Sequence, residues 1–216
     1  MSQVAQVNMI KQQLRTSSVT DENIIKLYER ILREEFVPQQ YANFAYSDMQ
    51  IPLAHGQKML TPAEEGQILQ ALQFTGSETV LEIGTGTGYF TALLSKLCKK
   101  VISVDIFPEF TQEAQKKLAK FRCSNVTFYT ENAYYGLPQN APYDCIIVSS
   151  AINKINDELF LQLNKGGKLI AVVGGDSIQQ VQLHTITTRQ LRVERFLFNT
   201  FLPQLVQPHN KNHFIF

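Results

Sequence analysis

Residues 80–89 read VLEIGTGTGY, and this stretch decides the fold. Thr79 to Ile83 is β-branched and apolar, the character of a strand buried on both faces. Gly84, Gly86 and Gly88 follow at alternate positions. Glycine there permits positive φ and lets another group approach where a Cβ would stand. From Thr87 to Leu97 the apolar residues Phe90, Leu93, Leu94 and Leu97 recur at helical spacing. Strand, glycine turn and helix in succession describe a βα unit of an open α/β sheet. Its turn carries unpaired N–H groups and the positive end of the helix dipole, which suits a nucleotide-like ligand.

Spacing selects among nucleotides. A dinucleotide turn reads GxGxxG and packs against a pyrophosphate. This chain has ExGxGxG, with Glu82 in the strand itself. A carboxylate there repels a pyrophosphate and pairs with the ammonium of an amino-acid-bearing ligand. Asp105 closes the next apolar run, Val101 to Asp105, about 20 residues past the first glycine, where an acid accepts from ribose hydroxyls. The combination suits S-adenosyl-L-methionine. A ligand-free glycine connector and a NAD site are the alternatives.

Outward from this unit the chain alternates. Strands are expected at 79–83, 101–105, 126–130, 144–149 and 167–173, and helices at 87–97, 109–120 and 157–163, a pattern for a parallel sheet with right-handed crossovers. Val181 to Thr187 and Leu191 to Leu202 break the rhythm and should pair antiparallel. Upstream, Val4, Val7, Ile10 and Leu14, then Ile24, Ile25, Leu27, Tyr28 and Ile31, carry helical spacing, with Asp21 as a cap before the second set. Phe36 to Pro52 reads as irregular, packed through Phe36, Tyr41, Phe44 and Tyr46. Thr61-Pro-Ala-Glu64 is a capping box opening a helix to about Gln73. The organisation is one domain over 1–216, with a helical, substrate-side extension at 1–60 and the nucleotide-binding core at 61–216.

The 216 residues are 44% hydrophobic and 18% charged, with formal net charge +1. That balance argues against disorder and against a field that gathers nucleic acid. Lys99-Lys100 and Lys116-Lys117 read as solvated faces. Cys98, Cys123 and Cys145 are odd in number, lack CxxC spacing and predict neither a disulfide framework nor a metal site, with Cys145 a small hydrophobe in its strand. His209 and His213 are taken as surface residues. With neither a signal peptide nor an apolar run long enough to span a membrane, a cytoplasmic location is expected.

Several segments in order resemble the protein-L-isoaspartate O-methyltransferases: Arg33-Glu-Glu-Phe-Val-Pro38, Leu53-Ala-His-Gly-Gln57, VLEIGTGTGY, Ser103-Val-Asp105, Ala141 to Val148, Gly166-Gly-Lys-Leu169 and Phe201-Leu-Pro-Gln-Leu205. The resemblance covers nearly the whole chain. It implies a Rossmann-like class I methyltransferase fold, with a mostly parallel twisted sheet, an antiparallel C-terminal strand pair and an N-terminal helical extension. The implied reaction moves a methyl group from S-adenosyl-L-methionine to the carboxylate of an L-isoaspartyl residue in a damaged protein or peptide. By the same resemblance Glu82, Gly84, Thr85, Gly86 and Gly88 line the methionine and ribose end of the cofactor. Asp105 takes the ribose hydroxyls, and Ile106 flanks the adenine.

The chain departs from the family pattern in three places. Thr-Ile-Ser-x-Pro becomes Lys58-Met-Leu-Thr-Pro62, so Leu60 stands where the family serine positions the substrate carboxylate. Gly-Asp-Gly becomes Glu131-Asn132-Ala133, so Asn132, whose carbonyl can still accept, replaces the aspartate that meets the adenine amino group. The Pro-rich substrate loop becomes Ile152-Asn-Lys-Ile-Asn156. Methyl transfer to a carboxylate needs no general base, because the nucleophile is already ionised at neutral pH. Losing one positioning hydrogen bond to an anion costs about 1.5–3 kcal/mol, roughly 10- to 150-fold in rate. Thr61 is adjacent to the gap, but its hydroxyl suits the N-cap. Lys58 reads as a surface lysine, the alternative being a cation for a carboxylate. His55 reads as a structural loop histidine, the alternative being a direct chemical role. Leu60, Thr61 and His55 are therefore the candidate positions at the reacting end. Leu60 and the 152–156 loop also leave open a cofactor-binding homologue without turnover and a methyltransferase for another substrate.

Overall fold

The structure, a computed structural model, describes residues 2–187, 189 and 191–208. His209 and His213 lie outside the described residues. The N-terminal helices are α1 (Ser2–Met9), running into a π-helical turn at Ile10–Leu14, α2 (Glu22–Arg30) and α3 (Pro62–Leu72). Then follow β1 (Thr79–Ile83), α4 (Tyr89–Ser95), β2 (Lys100–Asp105), α5 (Pro108–Lys120), β3 (Val126–Thr130), β4 (Tyr143–Ile152), α6 (Asp157–Leu161), β5 (Leu163–Gly174), β6 (Gln179–Ile186) and β7 (Arg192–Thr200).

The strands form one sheet in the order β3-β2-β1-β4-β5-β6-β7. The first five in that order run parallel, and β6 and β7 add antiparallel. This is the Rossmann-like mixed sheet expected. The chain steps outward from β1 through β2 to β3 and returns with β4 on the other side of β1. Such a reversal leaves a crevice at the carboxyl ends of the strands, between β1 and β4.

Strand β1 is buried from Val80 to Ile83 because both sheet faces are covered. Alternate residues serve two cores. Val80, Val101, Cys145 and Ile147 face the side packed by α3 and α4. Leu81, Ile102, Ile146 and Val148 face the side packed by α6.

The ends of several elements differ from the sequence expectation. The first core helix begins at Tyr89 rather than Thr87, because Gly84, Gly86 and Gly88 all hold positive φ and helical dihedrals start only after them. The expected helix 157–163 stops at Leu161, since Leu163 already pairs with Tyr143 as β5 begins. Val4 and Val7 are 67% and 40% exposed; α1 docks instead through Gln6, Met9 and Ile10. Gln6 Nε2 donates to the Tyr28 and Glu29 carbonyls in the last turn of α2, groups that have no partner within their own helix. Phe44 is likewise exposed, while Phe36 and Tyr46 pack as expected. Asp21 caps α2, and Thr61 with Glu64 forms the capping box of α3. Among the described residues no helix is long and apolar enough to cross a membrane.

Candidate active site

A cleft opens at the carboxyl ends of β1, β2 and β4. Its floor is the glycine turn. Gly84 (φ 103°) donates to Val104 O at 2.8 Å, tying β1 to β2, and Gly86 (φ 50°) borders the open space. Gly88 has another task. A Cβ built on it would stand 2.6 Å from Ala114 Cβ, so this glycine lets α4 start against α5 and does not reach the cleft wall.

Glu82 also lies off the wall. It is fully buried, and its Oε2 accepts from Thr91 Oγ1 at 2.6 Å and Ser103 Oγ at 2.7 Å. Ser103 Oγ in turn lies 2.6 Å from Thr85 Oγ1, and Thr85 reaches the cleft. The pleat turns Glu82 toward α4 rather than toward the ligand space. Burial pushes its carboxyl up to about 8, the two hydroxyl donors only partly opposing. A neutral acid bracing β1, β2 and α4 therefore replaces the ligand-facing charge expected from sequence.

Asp105, ending β2, faces the cleft. Its Oδ2 accepts from Gly86 N and its Oδ1 from Phe107 N, each at 3.0 Å. Burial raises its carboxyl from the ordinary value while these backbone donors hold it down. Ile106 and Phe107 continue the wall with apolar surface. Asn132 follows β3; its Oδ1 accepts from Tyr134 N at 2.9 Å and its Nδ2 donates to Val206 O at 3.2 Å. That second bond holds the segment after β7 over the cleft. Bonds from Ala151 N to Pro203 O and from Leu205 N to Ala151 O pin the same segment to β4.

The other end of the cleft is built by the residues before α3. Leu60 is on the wall and 5% exposed. Its carbonyl accepts from Arg33 Nη2, and Arg33 Nη1 pairs with Glu65, each at 2.5 Å. Both charged side chains are buried, and Glu65 reaches the wall. Burial pushes the Glu65 carboxyl up to about 7 against the pull of Arg33. Thr61 is turned away: its hydroxyl accepts from Glu64 N in the capping box. His55, at φ 55°, stacks on Phe107 with centroids 4.0 Å apart and lies 3.7 Å from Glu109; it backs the wall without joining it. Lys58, read from sequence as a surface lysine, is half-buried on the wall, its Nζ 5.6 Å from the Phe201 ring centre.

Glu65, Phe107 and Ser149 carry no functional signal in the sequence, and Arg33 enters only within the resembling segment Arg33 to Pro38. Ser149 lies in the register shift of β4 between Val148 and Ala151, beside Gly84, and its Oγ is buried without a hydrogen-bond partner. A pair of acids at the start of a helix looks like ordinary dipole compensation, so nothing in Glu64-Glu65 signals a buried ion pair. Asn156 of the altered loop donates to Tyr134 O at 3.0 Å, behind Asn132.

Residues 5–205 match the family described as Protein-L-isoaspartate(D-aspartate) O-methyltransferase (PCMT). A protein-L-isoaspartate O-methyltransferase of Myxococcus xanthus is 36% identical over 203 residues, 90% of this chain and 94% of the relative. One of Methanoculleus marisnigri is 35% identical over 186 residues, 86% of this chain and 84% of that protein. Among solved structures, a protein-L-isoaspartate O-methyltransferase superposes with a TM-score of 0.81 at 24% identity, covering 94% of this chain but only 66% of that longer one. A putative enzyme of the same name from Plasmodium falciparum, in complex with S-adenosyl-L-homocysteine, gives 0.77 at 16% identity, covering 95% and 98%.

Proposed function

The chain belongs to the protein-L-isoaspartate O-methyltransferase family, and from that membership we propose that it binds S-adenosyl-L-methionine in the β1–β2–β4 cleft and methylates L-isoaspartyl carboxylates of damaged proteins and peptides. The observation that carries this reading is Asp105. It is a cleft-facing carboxylate at the end of β2, fixed by backbone donors on both oxygens and placed beside the glycine turn.

The residues present fit the cofactor. Asp105 accepts from the ribose hydroxyls, its two bonds to the backbone leaving lone pairs free. Gly84, Thr85 and Gly86 give the methionine and ribose end an approach without side-chain bulk. Ile106 and Phe107 offer apolar surface to the adenine, and Asn132 stands at its edge. Glu82 and Gly88 support this arrangement from behind, one through its hydroxyl network and the other through helix packing.

The bound cofactor supplies a methyl carbon activated by a positively charged sulfur. An acceptor carboxylate oxygen would take that methyl group directly, with the S–C bond pair left on sulfur. No proton moves. The protein's task is therefore alignment and dryness. Leu53 and Leu60 keep the cleft apolar at the reacting end, and Leu205 and Val206 cover it from the segment after β7. Thr61, held in the capping box, shapes this end from outside it, while His55 backs Phe107 on the adenine side.

The test is transfer of labelled methyl from the cofactor to an isoaspartyl peptide compared with its aspartyl isomer. Leu60, a non-donor on the acceptor wall, also favours a second reading, a homologue that binds the cofactor without useful turnover. Tight cofactor binding with neither peptide labelled separates that reading from the first. We assign the protein to a reducing cytoplasm, supported by three free cysteines, and take its macromolecular partners to be damaged proteins rather than nucleic acid, supported by a net charge of +1.

A further inference from the structure

An acceptor carboxylate leaving water must find donors or a cation in the cleft, or its desolvation goes uncompensated. The cleft wall supplies few: the Ser149 and Tyr89 hydroxyls are buried there without a partner, and neither carries a charge. Leu60 has none. Arg33 is engaged by Glu65 and by the Leu60 carbonyl and does not line the cleft. The Thr61 hydroxyl serves the helix cap, Gln57 Nε2 donates to His55 O, and Thr85 Oγ1 is bonded to Ser103. Glu64 accepts from Thr61 N, Gln50 and Thr200 and does not line the cleft.

Lys58 differs from all of these. It lies on the wall two residues before Leu60, and among the described residues no carboxylate comes within ion-pair distance of its ammonium. Its backbone is held firmly. Lys58 bridges Pro52, Met59 N donates to Ile51 O at 2.9 Å, and Leu53 N donates to Gln57 O at 2.8 Å. The Phe201 ring, from the segment that closes over the cleft, lies beside the Nζ. A cation on a fixed stem, resting against an aromatic face and lacking a counter-ion, is poised for an anionic ligand.

We propose that the Lys58 ammonium pairs with the acceptor carboxylate and takes over the anchoring that Leu60 cannot provide. The inference rests on the isoaspartyl reading above and names the group that selects an anionic acceptor. It also fixes which kinetic constant responds. The carboxylate loses its charge as the O–C bond forms, so a cation paired to it holds the bound substrate more strongly than the transition state. Lys58 therefore acts mainly on KM, and its removal leaves kcat unchanged or slightly higher. Because it repels the sulfonium, it gives no help to cofactor binding.

The experiment uses the full chain and its Lys58→Met and Lys58→Arg variants. It measures kcat and KM for an isoaspartyl peptide, and competition by the matching isoasparaginyl peptide, whose neutral amide replaces the carboxylate. Calorimetry with S-adenosyl-L-methionine checks that the fold and cofactor site persist. Lys58→Met should raise KM about 10- to 100-fold with kcat within about threefold and cofactor affinity unchanged or slightly tighter. It should also erase the preference for the carboxylate over the amide, and Lys58→Arg should restore both. Should Lys58→Met fail to fold, Lys58→Gln carries the same test. An unchanged KM with intact discrimination in the variant overturns the inference while leaving the family reaction standing. A wild-type protein that labels no isoaspartyl peptide removes the reading beneath it, and the inference with it.

Discussion

Asp105 Oδ2 accepts the backbone N–H of Gly86 at 3.0 Å, so the acid that ends β2 is locked to the glycine turn that ends β1. One carboxylate thus shapes the turn and faces the cleft. Asp105→Asn keeps an oxygen for one backbone donor and loses the charge offered to a ribose diol. Its affinity for S-adenosyl-L-methionine, read by calorimetry, should fall about 10- to 100-fold, the worth of a charge-assisted hydrogen bond. Affinity equal to that of the wild type would place the ribose elsewhere.

Glu82 gives the fold a pH dependence of definite sign. Its carboxyl ionises near 4.5 when unfolded and only near 8 when folded. Between those values the folded state holds the extra proton, so this group's contribution to stability falls as pH rises across that window and levels off above it. Glu82→Gln removes the titration and keeps an oxygen for Thr91 and Ser103. Melting temperatures of the variant and the wild type should diverge in favour of glutamine from pH 5 to pH 8.5. A difference that stays flat over that range would show that Glu82 titrates normally.

The glycines separate by task. Gly88→Ala forces a Cβ to within 2.6 Å of Ala114 at φ 81° and should cost about 2–5 kcal/mol of stability. Gly86→Ala, where the nearest atom to the new Cβ is Leu53 Cδ1 at 3.5 Å, should cost about 1–2 kcal/mol yet weaken cofactor binding more. Chemical denaturation with parallel calorimetry measures both. Equal stability losses would contradict the division.

Leu60→Ser tests the gap on the acceptor wall. The variant exposes a hydroxyl beside Lys58 and leaves a void where a buried leucine packed, so its melting temperature should drop. Its kcat/KM toward an isoaspartyl peptide should nonetheless rise about tenfold, the worth of one hydrogen bond to an anion. A variant that folds without gaining activity shifts the limitation to the 152–156 loop.

The fold was legible from local signals: the apolar run into alternating glycines at 80–88, the capping box at Thr61, and the loss of helical rhythm after 179. Each depends on neighbours in sequence. Much of the site was not legible, because its residues are defined by contacts across the chain. The pairing of Arg33 with Glu65 spans 32 positions, and neither residue departs from what a solvated helix end would carry. Glu82 stands out in the sequence, but a strand buried on both sides leaves no polar face from which to read which way its side chain points. Lys58 looked like any exposed lysine until the Pro52 bridge and the Phe201 segment enclosed it. Val4 and Val7 misled in the opposite direction, because the hydrogen bond from Gln6 to α2 sets the docking face of α1.

The most direct measurement is methyl transfer from labelled S-adenosyl-L-methionine to two synthetic peptides that differ only in whether one residue is L-isoaspartyl or L-aspartyl. Labelling of the isoaspartyl peptide as a base-labile ester, with the aspartyl peptide left unlabelled, is the predicted result. Equal labelling of both, or none of either at saturating cofactor, would contradict it.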